Sequence, residues 1–343
     1  MAKITLKTLA EGLQMSVSTV SKALNDSYEI SEETKNKVKA YAKLHKYEPN
    51  IIAKTLKTGK THTIGVVIPK MSTPFESQIL EGIQRTAHAF NYHIIIMNSL
   101  ENEAVEKASI NAILAKGVDG ILFCPIHENS NTALVQEIAK KLPFVIFDRT
   151  NYPLNTHKVG VSNAEGTAEA CRHLLLQGHR HIAVLCGSHQ GLTAERLTGY
   201  KKAYDEAALN INQDHIVYLN VKSLPELHIG LEANIKRLLQ LKTPPTAILG
   251  VSDTITTHAL GILAKLEIKV PAQLAVIGFA NTELAFSLNP SLSTIRQPAH
   301  EIGKVSFLKL LEILNTKYKD QINWEDIKLP TVIELRNSTK SQL

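Results

Sequence analysis

Between Ser16 and Asn25 the chain sets Ser16, Ser18, Thr19, Ser21, Lys22 and Asn25 around Val17, Val20 and Leu24. Hydroxyls, an amide and an ammonium group at this density can bond to phosphate oxygens and to the polar edges of bases, so the stretch has the chemistry to read DNA. The same groups can also form nothing more than a solvated helix face. Spacing says what must hold them: Val17, Val20 and Leu24 recur at helical intervals, and Ser16 is a natural N-cap. A first helix starts at Thr5, with Leu6, Leu9, Ala10 and Leu13 on its inner face. A third is expected from Ser31 to Lys46. Ser31 caps it, Glu32 and Glu33 lie at the positive end of its dipole, and Val38, Tyr41, Ala42 and Leu44 are expected to face inward. Three short helices make one compact headpiece.

Pro49 closes this headpiece, because the residue before a proline avoids the helical region. The run NIIAKTLKTGK from Asn50 is apolar on one side and basic on the other, and is too short to hold as an isolated helix in water. Charge follows the same division. Residues 1–60 carry eleven lysines against six acids, a balance of +5 within the +6 of the 343-residue chain. A positive headpiece on a near-neutral body suits attraction to phosphates. The first arginine is Arg85, so any guanine contact from the headpiece falls to a lysine.

From Thr63 the pattern changes to short apolar runs separated by amphipathic stretches. TIGVVIP, HIIIMNS, GILFCP and FVIFD read as buried parallel strands, with helices over residues 76–91, 103–116 and 131–140 between them. A second series, HIAVLCG, HIVYLN, AILGVSD and LAVIGFA, repeats the scheme. Two α/β lobes follow. Ligands in such sheets bind beyond the carboxyl ends of the strands, so the pocket candidates are the residues just after each strand. These are Ser72, Thr73, Pro74 and Phe75, then Asp148, and in the second series Arg196, Ser252, Asp253, Ala280 and Asn281. Phe75 for stacking, with Arg196, Asp148 and Asp253 for hydroxyls, suits a sugar or related polyol. Arg196 can instead form a surface ion pair with an acid such as Glu195, and either aspartate can simply cap a helix.

The motif SVSTVSKALN, the segment ISEETKNKVKAYAKLHKYEPN and the run IIAKTLKTGKTHTIGVVIP resemble the lactose-repressor and galactose-repressor (LacI/GalR) family of bacterial transcription regulators. QGHRHIAVLCG, AERLTGY, VIGFANTE and PSLSTIRQP keep the family's order and spacing, so the resemblance covers nearly the whole chain. It implies an all-α helix-turn-helix headpiece with a hinge helix, and an α/β periplasmic-binding-protein-like core of two Rossmann-like lobes. The expected boundaries are 1–49 for the headpiece and 50–60 for the hinge helix and linker. The N-terminal lobe is expected over 61–160 plus 293–324, and the C-terminal lobe over 161–292 plus 325–343.

By the same resemblance Val17, Ser18 and Lys22 discriminate bases in the major groove, and Thr5, Ser16, Thr19, Ser21, Asn25, Ser31 and Thr34 position the backbone. Asn50, Ala53, Lys54, Leu56 and Lys57 belong to a hinge that folds in the minor groove when two copies meet, with Leu56 as a wedge between base pairs. Arg196 and Asp148 match the family's effector-cleft arginine and first-lobe aspartate. Three positions depart from the pattern. The family's turn glycine is Gln14 here, which must then take a left-handed conformation or alter the turn, and Ser252 and Ala280 replace an asparagine and an aspartate.

Other chemistries find little support. Cys124, Cys171 and Cys186 are scattered without metal spacing and read as buried free thiols. His179 and His181 follow Gly178 at a helix end, and Gly59, Lys60 and Thr61 lack the leading glycine of a phosphate loop. No G-x-S-x-G, H-E-x-x-H or G-x-G-x-x-G occurs, so neither an enzyme nor a cofactor or metal is expected. No apolar run approaches the roughly twenty residues of a membrane span, and no signal peptide precedes the headpiece. The expectation is a cytoplasmic homodimeric repressor that binds a palindromic DNA operator and answers to a small-molecule effector. A periplasmic-type sugar-binding protein is the alternative, and it leaves the first 60 residues unexplained. The tail RNSTKSQL has no heptad pattern for a tetramerising coiled coil, so a dimer is expected. Replacing Leu56 by alanine should weaken binding to a specific site far more than to random duplex DNA in a titration at fixed salt; equal losses on both would remove the wedge.

Overall fold

The computed structural model describes residues 4–47, 59–187, 190–221, 223–317 and 321–340. Asn50, Ala53, Lys54, Leu56 and Lys57 of the expected hinge lie outside them. The chain divides into two compact units, Met1–Thr61 and His62–Leu343.

The first unit holds α1 (Leu6–Leu13), α2 (Val17–Leu24) and α3 (Glu32–Leu44). A hydroxyl caps each of them. Thr5 accepts from the Thr8 amide at 3.2 Å, Ser16 from that of Thr19 at 3.0 Å and Ser31 from that of Thr34 at 3.3 Å. In each case the capping hydroxyl also bonds to the hydroxyl three residues on. Each cap satisfies an orphan amide of its helix, a stabilisation of about 1 kcal/mol. Leu9, Ala10, Leu13, Val20, Ala23, Val38 and Ala42 are buried together, and Gly12 lacks a side chain where the Tyr41 hydroxyl lies. Leu44 does not turn inward as expected; it is 76% exposed. The inward arc of α3 passes through Val38, Tyr41 and Ala42, and two further residues rotate Leu44 about 200° away from Ala42.

In the second unit, β1 (Thr63–Ile68), β2 (His93–Asn98), β3 (Gly120–Phe123), β4 (Phe144–Phe147), β5 (Lys158–Val161) and β11 (Asp326–Leu329) form one sheet, in the order β11-β5-β4-β3-β1-β2. β6 (Ile182–Cys186), β7 (Ile216–Tyr218), β8 (Ala247–Gly250), β9 (Ala275–Phe279), β10 (Ser293–Arg296) and β12 (Val332–Glu334) form the other, in the order β12-β10-β9-β8-β6-β7. All pairings are parallel except β10 with β12. Both sheets are doubly wound.

The connecting helices are α4 (Pro74–Ala89), α5 (Glu103–Leu114), α6 (Thr132–Ala139), α7 (Asn163–Leu176), α8 (Gln190–Glu206), α9 (Leu224–Leu239), α10 (Asp253–Lys265) and α11 (Ala299–Asn315). They cover both faces of each sheet. Ile64, Val66 and Ile68 of β1 pack toward α4 and α11, whereas Val67 packs on the other face with Ile110 and Ile113 of α5. Strands sealed on both faces read as continuous apolar runs, which is why β1, β3, β4, β6, β8 and β9 are visible in the sequence. β2 and β7 are less buried than expected, with Ile96 37% exposed, because they lie at sheet edges.

The chain crosses between lobes three times, and the expected boundaries shift at each crossing. Val161 stays in the first sheet as the last residue of β5. Residues 293–296, expected to open the return to the N-terminal lobe, are β10 and pair with β9 and β12 in the second sheet. Residues 326–329, expected in the C-terminal lobe, are β11 and pair with β5 in register Asp326↔Lys158 to Leu329↔Val161. These short strands carry weak apolar signals of their own, and available sheet edges assign them. The tail then tucks under the second sheet: Ser338 is fully buried, accepting from the Ser293 amide at 2.8 Å and donating to the Val276 carbonyl at 2.6 Å.

Two helix pairs meet backbone to backbone. A side chain at Gly82 of α4 would overlap the His300 carbonyl, and one at Gly199 of α8 would overlap the Ala164 carbonyl of α7. Gly261 of α10 faces open space. Gly199→Ala should therefore cost on the order of 2 kcal/mol in urea unfolding of the full chain. Gly261→Ala should instead stabilise by up to about 1 kcal/mol; equal effects would remove the close approach as the cause.

Candidate functional site

In the headpiece, α2 presents Val17, 44% exposed, beside the exposed Ser18 and Lys22. The remaining groups have partners that fix their directions. Ser16 and Thr19 share the cap, and the Asn25 side-chain amide donates to the Ser21 carbonyl at 2.8 Å. Thr5, Ser31 and Thr34 sit at the N-termini of α1 and α3, where amides and hydroxyls are available to phosphates. Lys22 pairs with Glu29, a half-exposed acid that the sequence reading passed over. Redirecting the ammonium to a guanine requires breaking a pair worth at most about 1 kcal/mol.

Gln14 takes the left-handed conformation, with φ +54° and ψ +39°, and its amide satisfies the carbonyls of Ala10 and Glu11. The turn therefore keeps the geometry a glycine would give it, at a steric cost of roughly 1–2 kcal/mol.

In the body, a cavity of about 510 Å³ opens where the carboxyl ends of the two sheets meet. Ser72, Thr73, Pro74 and Phe75 reach it from the segment after β1, Asp148 from the end of β4, Arg196 from α8, and Ser252 and Asp253 from the turn after β8. A second cavity of about 330 Å³, lined by Ile126 to Asn129, Asn151 and Glu195, shares Arg149 and Leu192 with it.

Arg196 is 6% exposed. Its Nε donates to Asn163 Oδ1 at 3.0 Å, a terminal nitrogen donates to the Val251 carbonyl, and the guanidinium lies 3.8 Å from the Phe279 ring centroid. Burial draws its pKa down to about 10, opposed by the charge of Asp148. Arg196 is thus a cleft residue and not a surface ion pair. Asp148 has φ +61°, held by its amide bond to the Val159 carbonyl at 2.8 Å. A non-glycine residue in that region at the lip of a cavity is strain of the kind that collects at binding sites. Burial raises the Asp148 pKa, and Arg149 and Arg196 oppose the rise. Asp253 is likewise raised by burial, opposed by the Asn281 amide that donates to its carboxylate at 2.7 Å.

Two expected residues are not among those lining the cavity. Ala280 is buried with Ile255, Ala285 and Leu292 in the core under α10. Asn281 is 1% exposed and its side chain is fully used: Nδ2 donates to Gln78 Oε1 at 2.9 Å and to the Gln297 carbonyl at 2.8 Å, and Oδ1 accepts from the Gln297 amide at 3.0 Å. Being next after a strand did not make them pocket residues: Ala280 turns into its own lobe's core, and Asn281 is taken up by Gln78 of the neighbouring lobe and by Gln297 at the crossover. Conversely, Lys70, Glu76, Glu101, Arg149, His258 and Gln297 line the cavity unforeseen. Glu76 was within reach of the strand-end argument, one residue past Phe75. Gln297 was hidden by the misplaced second crossover. All three cysteines are buried and free.

A capped helix-turn-helix unit, followed by two doubly wound lobes with a cavity at the carboxyl ends of their sheets, is the architecture of a DNA-binding regulator. Residues 5–50 match the bacterial regulatory proteins of the lacI family, and residues 171–339 match the periplasmic binding protein-like domain. Catabolite control protein A of Priestia megaterium is 31% identical over 343 residues, covering 98% of this chain and 99% of that protein. The ribose operon repressor of Haemophilus influenzae is 31% identical over 341 residues, with the same coverage. The chain belongs to the lacI family of bacterial transcription regulators, whose members are DNA-binding proteins and not enzymes. Among solved structures, the lac repressor dimer bound to operator and the anti-inducer ONPF superposes with a TM-score of 0.85 at 23% identity, covering 99% of this chain and 100% of that one, a likeness of fold. A LacI family regulator from Enterococcus faecium with bound ribose superposes with a TM-score of 0.68 at 26% identity, covering 80% and 98%.

Gln14→Gly should relieve the left-handed strain, offset in part by the greater freedom of glycine in the unfolded chain, for a net gain of about 0.5 kcal/mol. Hydrogen exchange at the α1 amides of the full chain should slow about twofold, and Gln14→Val should speed it; no slowing in the glycine variant would refute the strain.

Proposed function

We propose that this protein is a cytoplasmic repressor that binds a palindromic operator as a homodimer and is controlled by a sugar or related metabolite between the lobes of its core. One observation carries the reading: the cavity is lined from both lobes by hydrogen-bonding side chains, in a chain that also holds a capped helix with exposed polar groups in a helix-turn-helix unit. In this reading Val17, Ser18 and Lys22 read bases, while Thr5, Ser16, Thr19, Ser21, Asn25, Ser31 and Thr34 fix the docking. Asn50, Ala53, Lys54, Leu56 and Lys57 act at the hinge. Ser72, Thr73, Pro74, Phe75, Asp148, Arg196, Ser252 and Asp253 contact the effector. Relatives named for ribose, and a fold neighbour described as a cellobiose complex, support a sugar-like ligand. Closure of the lobes on the ligand shifts the headpieces only as far as the ligand prefers one lobe arrangement over the other. A solely periplasmic-type binding role leaves the lacI-family match over residues 5–50 without a purpose.

Selection from random duplex DNA by the full-length protein, at stated salt, tests the reading. Enrichment of a palindrome with a deformable central step is expected, released or tightened by a sugar in the wild type but not in Arg196→Ala, whose operator affinity should persist. The Arg196→Lys variant controls for lost packing against Phe279. Absence of any enriched site, with or without candidate sugars, would overturn the repressor reading.

A further inference from the structure

The ionic groups lining the cavity do not balance. Glu76, Glu101, Asp148 and Asp253 face Lys70, Arg149 and Arg196, an excess of one acid before His258 is considered. The pairings locate that excess. Arg149 and Glu101 form a two-pronged pair at 3.1 and 2.7 Å and so cancel. Arg196 spends its donors on Asn163 and Val251, and its charge acts on Asp148. Asp253 accepts a backbone amide. Lys70 acts on Glu76 by charge without bonding to it, and Glu76 Oε2 is buried and, among the described residues, without a partner. Gln297, more than nine-tenths buried on the same lining, has an Nε2 without a partner among the described residues, and so does Arg149 at Nε. Buried polar atoms are rarely left unbonded, and three in one cavity mark where a ligand's own polar groups belong.

Resting on the effector reading above, we propose that the ligand of this cavity is a polyol carrying one protonated amine, an amino sugar or aminopolyol, with its ammonium group against Glu76 beside Asp148 and a ring oxygen or hydroxyl accepting from Gln297. A neutral sugar would meet Glu76 only as a hydrogen-bond donor and leave the charge excess in place. An anionic ligand would add to it. Electrostatics give the proposal a second signature. Burial, and next the neighbouring Asp148, raise the Glu76 pKa to about 7 in the free protein, so near neutrality it is partly protonated. An ammonium ion against it lowers that pKa, so binding must release protons. Affinity should rise with pH up to about 7 and fall again at higher pH, where the ligand's own amine loses its proton.

The test is calorimetric titration of the full-length protein near pH 7, in buffers of different ionisation enthalpy, with D-glucosamine and D-galactosamine beside D-glucose and D-galactose. Supporting the proposal, an amino member binds at least about tenfold tighter than its hydroxyl counterpart, releases protons, and loses that preference in Glu76→Gln, whose melting temperature controls for folding. Equal or tighter binding of the neutral member overturns it and leaves the effector reading standing. An amine preference that survives Glu76→Gln overturns the assigned position. Binding of no probe overturns the proposal together with the sugar-like effector.

Discussion

The core is organised around a single buried cation. A guanidinium that is 6% exposed must find donors' partners and countercharge from its surroundings, because an unpaired buried charge costs several kcal/mol. Arg196 draws them from four places. Asn163 begins α7 directly after the first crossover, Val251 follows β8, Phe279 ends β9, and Asp148 belongs to the opposite lobe. Asn163 is itself consumed by the arrangement, its Nδ2 donating to Glu195 at 2.9 Å. One side chain thereby registers the first crossover and two strand ends, while its charge reaches across the cleft.

The second fastening is neutral. Asn281, after β9, bonds to Gln78 of α4 and to Gln297 at the second crossover. Amides bonded on every side stabilise an orientation without the desolvation penalty of an ion pair. This cluster joins the lobes at a point where the chain crosses between them, so rotation of one lobe on the other is resisted least when it pivots there. Asp148 and Asp253 line the cavity from opposite lobes. A ligand bonded to both has different affinities for the open and closed forms, which is what a conformational response requires.

Legibility in the sequence followed burial and range. Strands sealed between helix layers announced themselves as apolar runs, and the three caps were readable because an N-cap acts within three residues. Both left the fold class plain. β5, β10, β11 and β12 were not foreseen, since three or four residues with mixed polarity are assigned by partners elsewhere; β11 pairs with a strand some 170 residues earlier. The crossovers moved with them, and Gln297 was lost to the cavity for that reason. Ala280 and Asn281 failed in the opposite direction. The strand-end rule places a residue near the cleft but does not say whether its side chain turns into its own lobe's core or is taken up by the other lobe. Leu44 failed on phase, by two residues of helix rotation. Gln14 was legible as a dilemma only, since sequence alone cannot say whether a chain bears left-handed strain or reshapes its turn.

The two units differ in what they can yield. Among the described residues, the headpiece is built on seven small or medium apolar side chains, three hydroxyl caps and three left-handed turn residues, Gln14, Asp26 and Lys46. So small a core has few alternative packings of comparable energy, and loosening it would approach unfolding. The body instead has a separate core on each face of each sheet, joined by three crossing segments and one amide cluster. Its least costly deformation is relative movement of two rigid lobes, with each core kept intact. Under the proposed function, regulation therefore belongs to the body and recognition to the headpiece. A change in ligand chemistry would then alter the lobe equilibrium without redesigning the surface that reads DNA. The unbalanced acid at Glu76 is the kind of feature such a division permits, because it alters what the cavity prefers and touches neither Arg196's hydrogen bonds nor the Asn281 cluster.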